Sequence, residues 1–239
     1  MTATTAAPGA LEQAALWRLL SLGLAVPDAE SLAELEALAH GLRERDVLAD
    51  RLEALLAALA DGEERGRLEA EHHRLFDGEA PCPPYEGGWE PDPFRAVRGL
   101  ADVAGFYRAF GANARGPAAE RADHAGCELE FLSFLAARAA ALEAAGETGE
   151  AEVCSAALDA FLRDHAGRWL PAFFGAVLRR TTSAVHACLA ALGEEAVRRE
   201  LERRGLEPEQ LRPRQALAVE AECLSCGLAA GPAAPTGAG

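Results

Sequence analysis

Leucine recurs at helical spacing along most of this chain, and that pattern is the strongest constraint on its fold. Between residues 47 and 60 the leucines on one helix face are Leu48, Leu52, Leu55, Leu56 and Leu59. Residues three and four positions apart share a face of an α-helix, so this spacing predicts an amphipathic helix with a leucine face. No run of residues alternates with the period of two for long enough to indicate a strand.

The residue types available for a core also favour helices. Half of the 239 residues are hydrophobic, only 6% are aromatic, and isoleucine is absent. Leucine and alanine favour helices, whereas β-branched and aromatic residues are enriched in sheets. We therefore predict an all-α fold, a single helical-bundle domain. The predicted segments are a disordered start, 1–10, the helical domain, 11–222, and a disordered tail, 227–239. An alternative division has two helical halves, about 11–110 and 118–222, joined by a linker at 111–117.

The acidic charge of the chain limits its partners. Aspartate and glutamate number 38 against 23 lysines and arginines, a net charge of −15, so we predict no nucleic-acid binding. Such a surface attracts basic partners instead. Residues 1–9 lack the basic and apolar regions of a secretory signal, and the apolar segment 19–26 is too short to span a bilayer. We predict a cytoplasmic protein, monomer or dimer, without an integral membrane segment.

A long proline-bearing loop interrupts the series of predicted helices. These helices span about 11–24, 28–42, 47–60, 63–76, 94–110, 118–145, 148–164, 173–192, 194–204 and 208–222. Pro171 is expected to break a helix near Trp169. The loop, 78–93, carries five prolines together with Tyr85 and Trp89. A loop of this length inside a helical domain is uncommon and is often functional.

The stretch Glu120–Leu132 concentrates acidic, imidazole and apolar groups at a predicted helix start. Asp123 lies where the helix dipole favours negative charge, and His124 and Glu128 share a face because they are four residues apart. Two apolar residues continue that face, Phe131 and Leu135. The stretch by itself fits either a surface for a cationic, partly hydrophobic partner or an ordinary helix start.

Two groups of residues raise the alternative of a metal site. A helical-bundle metalloprotein would use Glu69, His72, His124 and Glu128. Di-iron bundles require two Glu-x-x-His pairs, and the chain has one. Cys223 and Cys226 form a C-x-x-C, which supplies half of a zinc site or a redox pair. No nucleotide-binding loop or nucleophile-elbow motif is present, and we predict no cofactor.

Several short motifs occur in an order that resembles one protein family. In chain order they are Arg74–Gly78, Pro83–Glu86, Phe106–Gly111, Glu120–His124, Glu128–Leu132 and Phe161–Phe173, the last with His165, Trp169 and Pro171. The series resembles the TorD/DmsD/NarJ family of redox-enzyme maturation chaperones over about residues 11–205. The chain departs from the family at Ala122, where proline is frequent, and at Gly87, where serine is frequent.

The resemblance implies an all-helical cytoplasmic chaperone that is not an enzyme. Such a chaperone binds the apoprotein of a molybdopterin-dependent oxidoreductase of the dimethyl-sulfoxide-reductase class, often through its twin-arginine signal peptide, before export or assembly. The peptide-binding residues carried over are Pro84, Tyr85, Glu86, Asp123 and His124, to which we add Glu128.

These residues suit a twin-arginine peptide chemically. Guanidinium groups pair with carboxylates in fork geometry, and aromatic rings stack on guanidinium groups. The candidate carboxylates and rings are Glu86, Glu120, Asp123, Glu128, Tyr85 and Trp89. Phe131 and Leu135 are expected to continue the apolar surface. We expect Asp123 and His124 to face the client, Glu128 to orient His124, and Tyr85 to lie close to His124.

Overall fold

A computed structural model describes residues 9–112 and 121–211 and confirms the all-α fold. The first series of helices is α1 (Ala10–Leu22), α2 (Ala29–Glu44), α3 (Ala49–Leu59), α4 (Gly62–Phe76) and α5 (Pro93–Ala109). The second is α6 (Ala125–Ala145), α7 (Thr148–Phe161), α8 (Gly167–Arg180) and α9 (Ala184–Arg204). A 3-10 turn, Glu86–Gly88, lies in the proline loop, and a π-helical segment, Leu162–Ala166, joins α7 to α8. These two ranges contain no β-strand.

The helices enclose one continuous hydrophobic core. Helix α1 lies against α6 and α2, α8 lies against α9, and α3 contacts both α2 and α9. The largest core residues are the three tryptophans, Trp17, Trp89 and Trp169. Two hydroxyl groups fasten α1 to α6: Ser21 donates to the Gly126 carbonyl at 2.9 Å, and Ser133 donates to the Ala14 carbonyl at 2.8 Å. Helices on both sides of the predicted linker 111–117 therefore share this core.

Local sequence sets several helix ends. Helix α2 begins with a reciprocal cap, in which the Asp28 carboxylate accepts from the Ser31 N–H at 2.8 Å and the Ser31 hydroxyl accepts from the Asp28 N–H at 3.1 Å. Asp92 caps α5, and Pro93 occupies its first position, where a missing N–H costs nothing. Gly146 ends α6 with a φ of +79°, a conformation that glycine adopts without strain.

Helix α6 begins later than the sequence predicts. We expected a helix from about residue 118, but residues 121–123 are not helical, and α6 starts at Ala125 with His124 as its N-cap. The cause is tertiary, because Asp123 and Ala125 are hydrogen-bonded to the proline loop and His124 between them has an extended backbone. Asp123 therefore lies before the helix and not in its first turn.

Helix α8 runs through Pro171, where the sequence predicts a break. A proline inside a helix leaves the carbonyl four residues earlier without its usual N–H donor. That carbonyl belongs to Gly167, and it accepts a hydrogen bond from the Gln210 side-chain amide at 2.9 Å. A residue beyond α9 thus compensates for the proline, so the predicted interruption is wrong.

The predicted break between residues 192 and 194 is also wrong, since α9 continues through Gly193. A Cβ atom at this position would lie 2.5 Å from the Phe174 ring, so the glycine allows close packing of α8 against α9. The break occurs at residues 181–183 instead. Ser183 begins α9 there by accepting a hydrogen bond from the His186 N–H at 3.3 Å.

Some predicted features lie outside the described residues. They are the start of the chain, 1–8, the linker residues 113–117, Glu120, the part of the predicted helix 208–222 beyond residue 211, Cys223, Cys226 and the tail 227–239. Residues 208–211 are described and are not helical, so the start predicted for that helix is wrong. Within the described ranges, none of the helices combines the length and the apolar character needed to cross a membrane.

Candidate peptide-binding site

The proline loop is joined to the start of α6 by an isolated antiparallel β-bridge between Tyr85 and His124. Two backbone hydrogen bonds make this joint. The Glu86 N–H donates to the Asp123 carbonyl at 2.9 Å, and the Ala125 N–H donates to the Pro84 carbonyl at 2.8 Å. The Tyr85 and His124 rings meet edge to face with centroids 5.3 Å apart. Segments nearly 40 residues apart thus form one surface, with Tyr85 beside His124 as expected.

Asp123 and Arg121 form a fork-shaped ion pair beside Tyr85. Arg121 donates to Asp123 Oδ1 at 3.1 Å and to Oδ2 at 2.9 Å, and its guanidinium carbon lies 4.8 Å from the Tyr85 ring centroid. The Gly87 N–H also donates to Asp123, at 3.2 Å. The Asp123 side chain is only 1% exposed. Its carboxylate is therefore held between a backbone donor and the guanidinium of Arg121.

The loop is anchored from beneath by Trp89. The indole N–H of Trp89 donates to the Pro83 carbonyl at 3.0 Å, and its ring packs against Trp169 and Phe173. We expected Trp89 to contact a bound peptide, but the side chain is buried in the core. Trp89 positions the loop, and Tyr85 is the aromatic residue next to the Arg121–Asp123 ion pair.

Glu128 lies in the interior and not on the Tyr85–His124 surface. Its Oε2 accepts a hydrogen bond from the Trp169 indole at 3.0 Å, and its Oε1 has no hydrogen-bond partner. Burial, reinforced by the charges of Glu86 and Asp123, raises the pKa of Glu128 well above its ordinary value. The expected roles of contacting a peptide and orienting His124 therefore do not fit this location. His124 instead caps α6 by accepting from the Gly126 N–H at 3.1 Å.

The apolar continuation predicted for this helix face is also internal. Phe131 and Leu135 are both buried in the core, where Phe131 packs against Tyr107 and Phe161. The hydroxyl of Tyr107 donates to the Ala122 carbonyl at 2.8 Å and so supports the segment before α6. This helix face therefore adds no apolar surface next to Tyr85 and His124.

The four residues proposed as a metal site do not converge. Glu69 is exposed and lies 3.8 Å from the His73 imidazole, whereas His72 points inward against Phe76. Burial lowers the pKa of His72 to about 4, as expected for a neutral core histidine. Across residues 9–112 and 121–211, no three His, Cys, Asp or Glu side chains are grouped closely enough to hold a metal ion. The hypothesis of a metal site at Glu69, His72, His124 and Glu128 is therefore wrong.

A cleft of about 720 Å³ opens beside the Tyr85–His124 surface, between the 3-10 turn, α5 and the π-helical segment. At its floor His165 bridges two carboxylates, with Nδ1 3.1 Å from Glu86 Oε2 and Nε2 3.1 Å from Asp102 Oδ2. Arg168 lies 3.9 Å from Glu86 and 3.5 Å from Glu90. Glu86 was predicted for this surface, whereas His165, Asp102 and Arg168 were not assigned to it.

The π-helical segment turns His165 into the cleft. Its wider turn is closed by the Gly167 N–H, which donates to the Leu162 carbonyl five residues earlier. Burial by itself lowers the pKa of His165, but hydrogen bonds and charges from Glu86 and Asp102 outweigh it and raise the pKa. The sequence could have indicated His165, because this residue belongs to the motif series. It could not indicate the two carboxylate partners, which lie 63 and 79 residues away.

Gly87 lies between the Arg121–Asp123 ion pair and the cleft. A Cβ atom built on Gly87 would lie 3.2 Å from Asp123 Oδ2 and 3.6 Å from the Ala96 side chain of α5. On the same half of α5, Phe94 and Val97 are among the most exposed large hydrophobic residues. We name Tyr85, Gly87 and the start of α5, with its exposed Phe94 and Val97, the loop–α5 surface.

We predict that His165→Gln destabilises the chain by about 2 kcal/mol near pH 6 and by less near pH 8.5. A histidine whose pKa is raised by folding adds stability. That contribution is complete below the unfolded pKa and is lost as pH rises through the folded pKa. Urea unfolding of both proteins at the two pH values measures this difference. An equal loss of stability at both would show that the Glu86 and Asp102 bonds do not depend on a charged imidazole.

Comparison with known structures first defines the class of the fold. The fold is similar to that of a proposed redox enzyme maturation protein from Archaeoglobus fulgidus, with a TM-score of 0.51 and 23% identity. The alignment covers 84% of this chain and 99% of the other. The chain is thus an all-α protein with the architecture of that structure.

The family is shown by sequence. The family model described as nitrate reductase delta subunit matches residues 30–175, which is more than half of the chain. The chain therefore belongs to this family of NarJ/TorD-type redox-enzyme maturation chaperones, as its motif series predicts. No curated protein matches it significantly.

Proposed function

We propose that the chain binds the catalytic subunit of a molybdopterin-dependent oxidoreductase before cofactor insertion, through the subunit's twin-arginine signal peptide where it has one. The family name refers to nitrate reductase, an enzyme of this class. The observation that carries the proposal is the β-bridge between Tyr85 and His124, which brings an aromatic ring and the buried Asp123 carboxylate into one surface. In this role the chain acts as a cytoplasmic binding protein and performs no catalysis.

The loop–α5 surface has the two chemistries that a twin-arginine peptide requires. Carboxylates of Glu86, Asp102 and Asp123 lie at or beside the cleft and suit guanidinium groups. Phe94 and Val97, three residues apart on α5, offer an apolar contact for the hydrophobic segment that follows the arginines. The net charge of −15 would also attract a basic leader over a distance, more strongly at low salt.

Calorimetry with a synthetic twin-arginine leader tests the proposal. We expect binding of the leader that weakens when both arginines are replaced by lysine, because lysine lacks the planar fork that pairs with a carboxylate. Co-purification with the full-length apoenzyme forms the second arm. Absence of binding to both the leader and the apoenzyme would reject the proposal.

A matched pair of valine substitutions locates the apolar contact. Val97 on α5 is 70% exposed and Val153 on α7 is 60% exposed, so serine replaces a comparable surface residue in each case. Val97→Ser should weaken leader binding by about fivefold, the effect of losing roughly 1 kcal/mol of apolar contact. Val153→Ser should leave affinity unchanged. Equal affinities of the two variants would place the apolar segment elsewhere.

A further inference from the structure

We propose that Asp123 and Tyr85 form a guanidinium site that the chain's own Arg121 occupies, and that a client arginine binds by displacing Arg121. This inference rests on the proposed function, because it assigns a position to one arginine of the leader. It adds a competitor within the chaperone itself. Arg121 would then limit the affinity for arginine-bearing segments.

The contacts of Arg121 are those expected for an arginine ligand. Two N–H groups reach both oxygens of Asp123, at 3.1 and 2.9 Å, and the guanidinium lies over the Tyr85 ring at 4.8 Å. Fork pairing and stacking together distinguish arginine from lysine. In the part of the chain that the structure describes, Arg121 is the one arginine placed over an aromatic ring. The site therefore combines the two features that select a guanidinium.

The walls of the site are built independently of Arg121. Tyr85 is fixed by the backbone bridge to His124, and Asp123 is held by its own carbonyl, which accepts from Glu86, and by the Gly87 N–H on its side chain. The Asp123 side chain is 1% exposed, whereas that of Arg121 is 55% exposed. A half-exposed arginine over a buried carboxylate can rotate outward without moving the backbone.

The location of the pair also fits displacement by a client. The Arg121 Nη2 atom would lie 3.7 Å from a Cβ atom built on Gly87, the residue that borders both Asp123 and Ala96 of α5. Gly87 keeps this junction free of a side chain. An arginine that enters along the loop–α5 surface would therefore reach Asp123 where Arg121 now lies.

Because Arg121 occupies the site, the measured affinity is the intrinsic affinity multiplied by the fraction of molecules in which the site is open. Arg121→Gln removes the competitor, so we expect the twin-arginine leader to bind about three- to tenfold more tightly than to the wild-type chain. The gain should vanish with the lysine-substituted leader, and it should vanish in the double variant Arg121→Gln with Asp123→Asn. Calorimetry on the full chain measures these affinities.

A charge-matched control separates displacement from long-range attraction. Arg198 on α9 is also 55% exposed and pairs with Glu202, so Arg198→Gln makes the same change in net charge away from this surface. We expect its leader affinity to equal that of the wild type. A gain as large as that of Arg121→Gln would overturn the inference, because net charge would then explain both.

The outcomes distinguish this inference from the proposed function. If the wild-type chain binds the leader and Arg121→Gln binds equally or more weakly, Arg121 is not a competitor and the proposed function stands. If no variant binds the leader, the proposed function loses its signal-peptide arm, and arginine amide becomes the probe. Saturable binding of arginine amide to Arg121→Gln, absent from the double variant with Asp123→Asn, supports the guanidinium site, and its absence overturns it. Thermal unfolding confirms that each variant is folded.

Discussion

Replacement of Trp169 by alanine is expected to lower the free energy of unfolding by about 3–5 kcal/mol, the usual effect of removing a large buried aromatic residue. Trp169 is completely buried and packs against Trp89 and Phe173. It also donates its indole N–H to Glu128, a carboxyl group whose other oxygen already lacks a partner. The substitution therefore creates a cavity and leaves a buried acid without hydrogen bonds. Urea unfolding measures the loss.

The phenylalanine variant separates the two contributions. Trp169→Phe keeps most of the aromatic packing and removes the indole donor, so we expect a loss of about 1–3 kcal/mol. Unchanged stability of Trp169→Phe would show that the indole bond contributes nothing.

The pKa of Glu128 is raised by burial, so its ionised form disfavours the folded state as pH rises above the unfolded pKa. Glu128→Gln should therefore reduce the dependence of stability on pH.

Substitution of Gly167 by alanine is expected to cost about 3 kcal/mol, the upper end of the range for overpacking. A Cβ atom there would lie 2.4 Å from the Leu162 carbonyl oxygen and 2.9 Å from a Leu201 methyl group. The nearest atom is backbone, so rotation of a side chain cannot relieve the clash. The π-helical turn that carries His165 would have to rearrange. We expect urea unfolding to show the loss, and the pH effect assigned to His165 to disappear with it.

A second glycine substitution provides the matched control. Gly66 lies inside α4, and a Cβ atom built there meets no atom within 4 Å. Gly66→Ala should raise the free energy of unfolding by about 0.5–1 kcal/mol, because alanine has the higher helix propensity and a less flexible unfolded chain. If both variants had the same effect, the close contact at Gly167 would not limit stability.

Much of the fold could be predicted because it depends on local spacing. The leucine pattern gave α3, and Asp28 and the Asp92–Pro93 pair mark where α2 and α5 begin. Pro171 and Gly193 misled the prediction for one common reason. Each is accommodated by a distant residue, Gln210 for Pro171 and Phe174 for Gly193, and the local sequence does not contain that partner.

The site was only partly predictable for the same reason. The motif order indicated Tyr85, Asp123 and His124, and the structure brings these three residues together. It places Glu128 in the core, bonded to Trp169. This location was not predictable because Trp169 is 41 residues away on another helix. Arg121 and Asp123 are two residues apart in sequence, but the ring that completes their site comes from the proline loop.

The sequence by itself determined the helical composition, the position of the proline loop, the acidic charge and the family. These properties arise from contacts within one turn of helix, from residue type, or from motif order. Only the tertiary structure decided which of the candidate side chains are exposed and which are buried. The β-bridge at Tyr85 fixes the start of α6, and burial sends Glu128 inward while Arg121 remains over Asp123 at the surface. Side-chain direction depends on packing between distant helices, and spacing along the chain does not encode it.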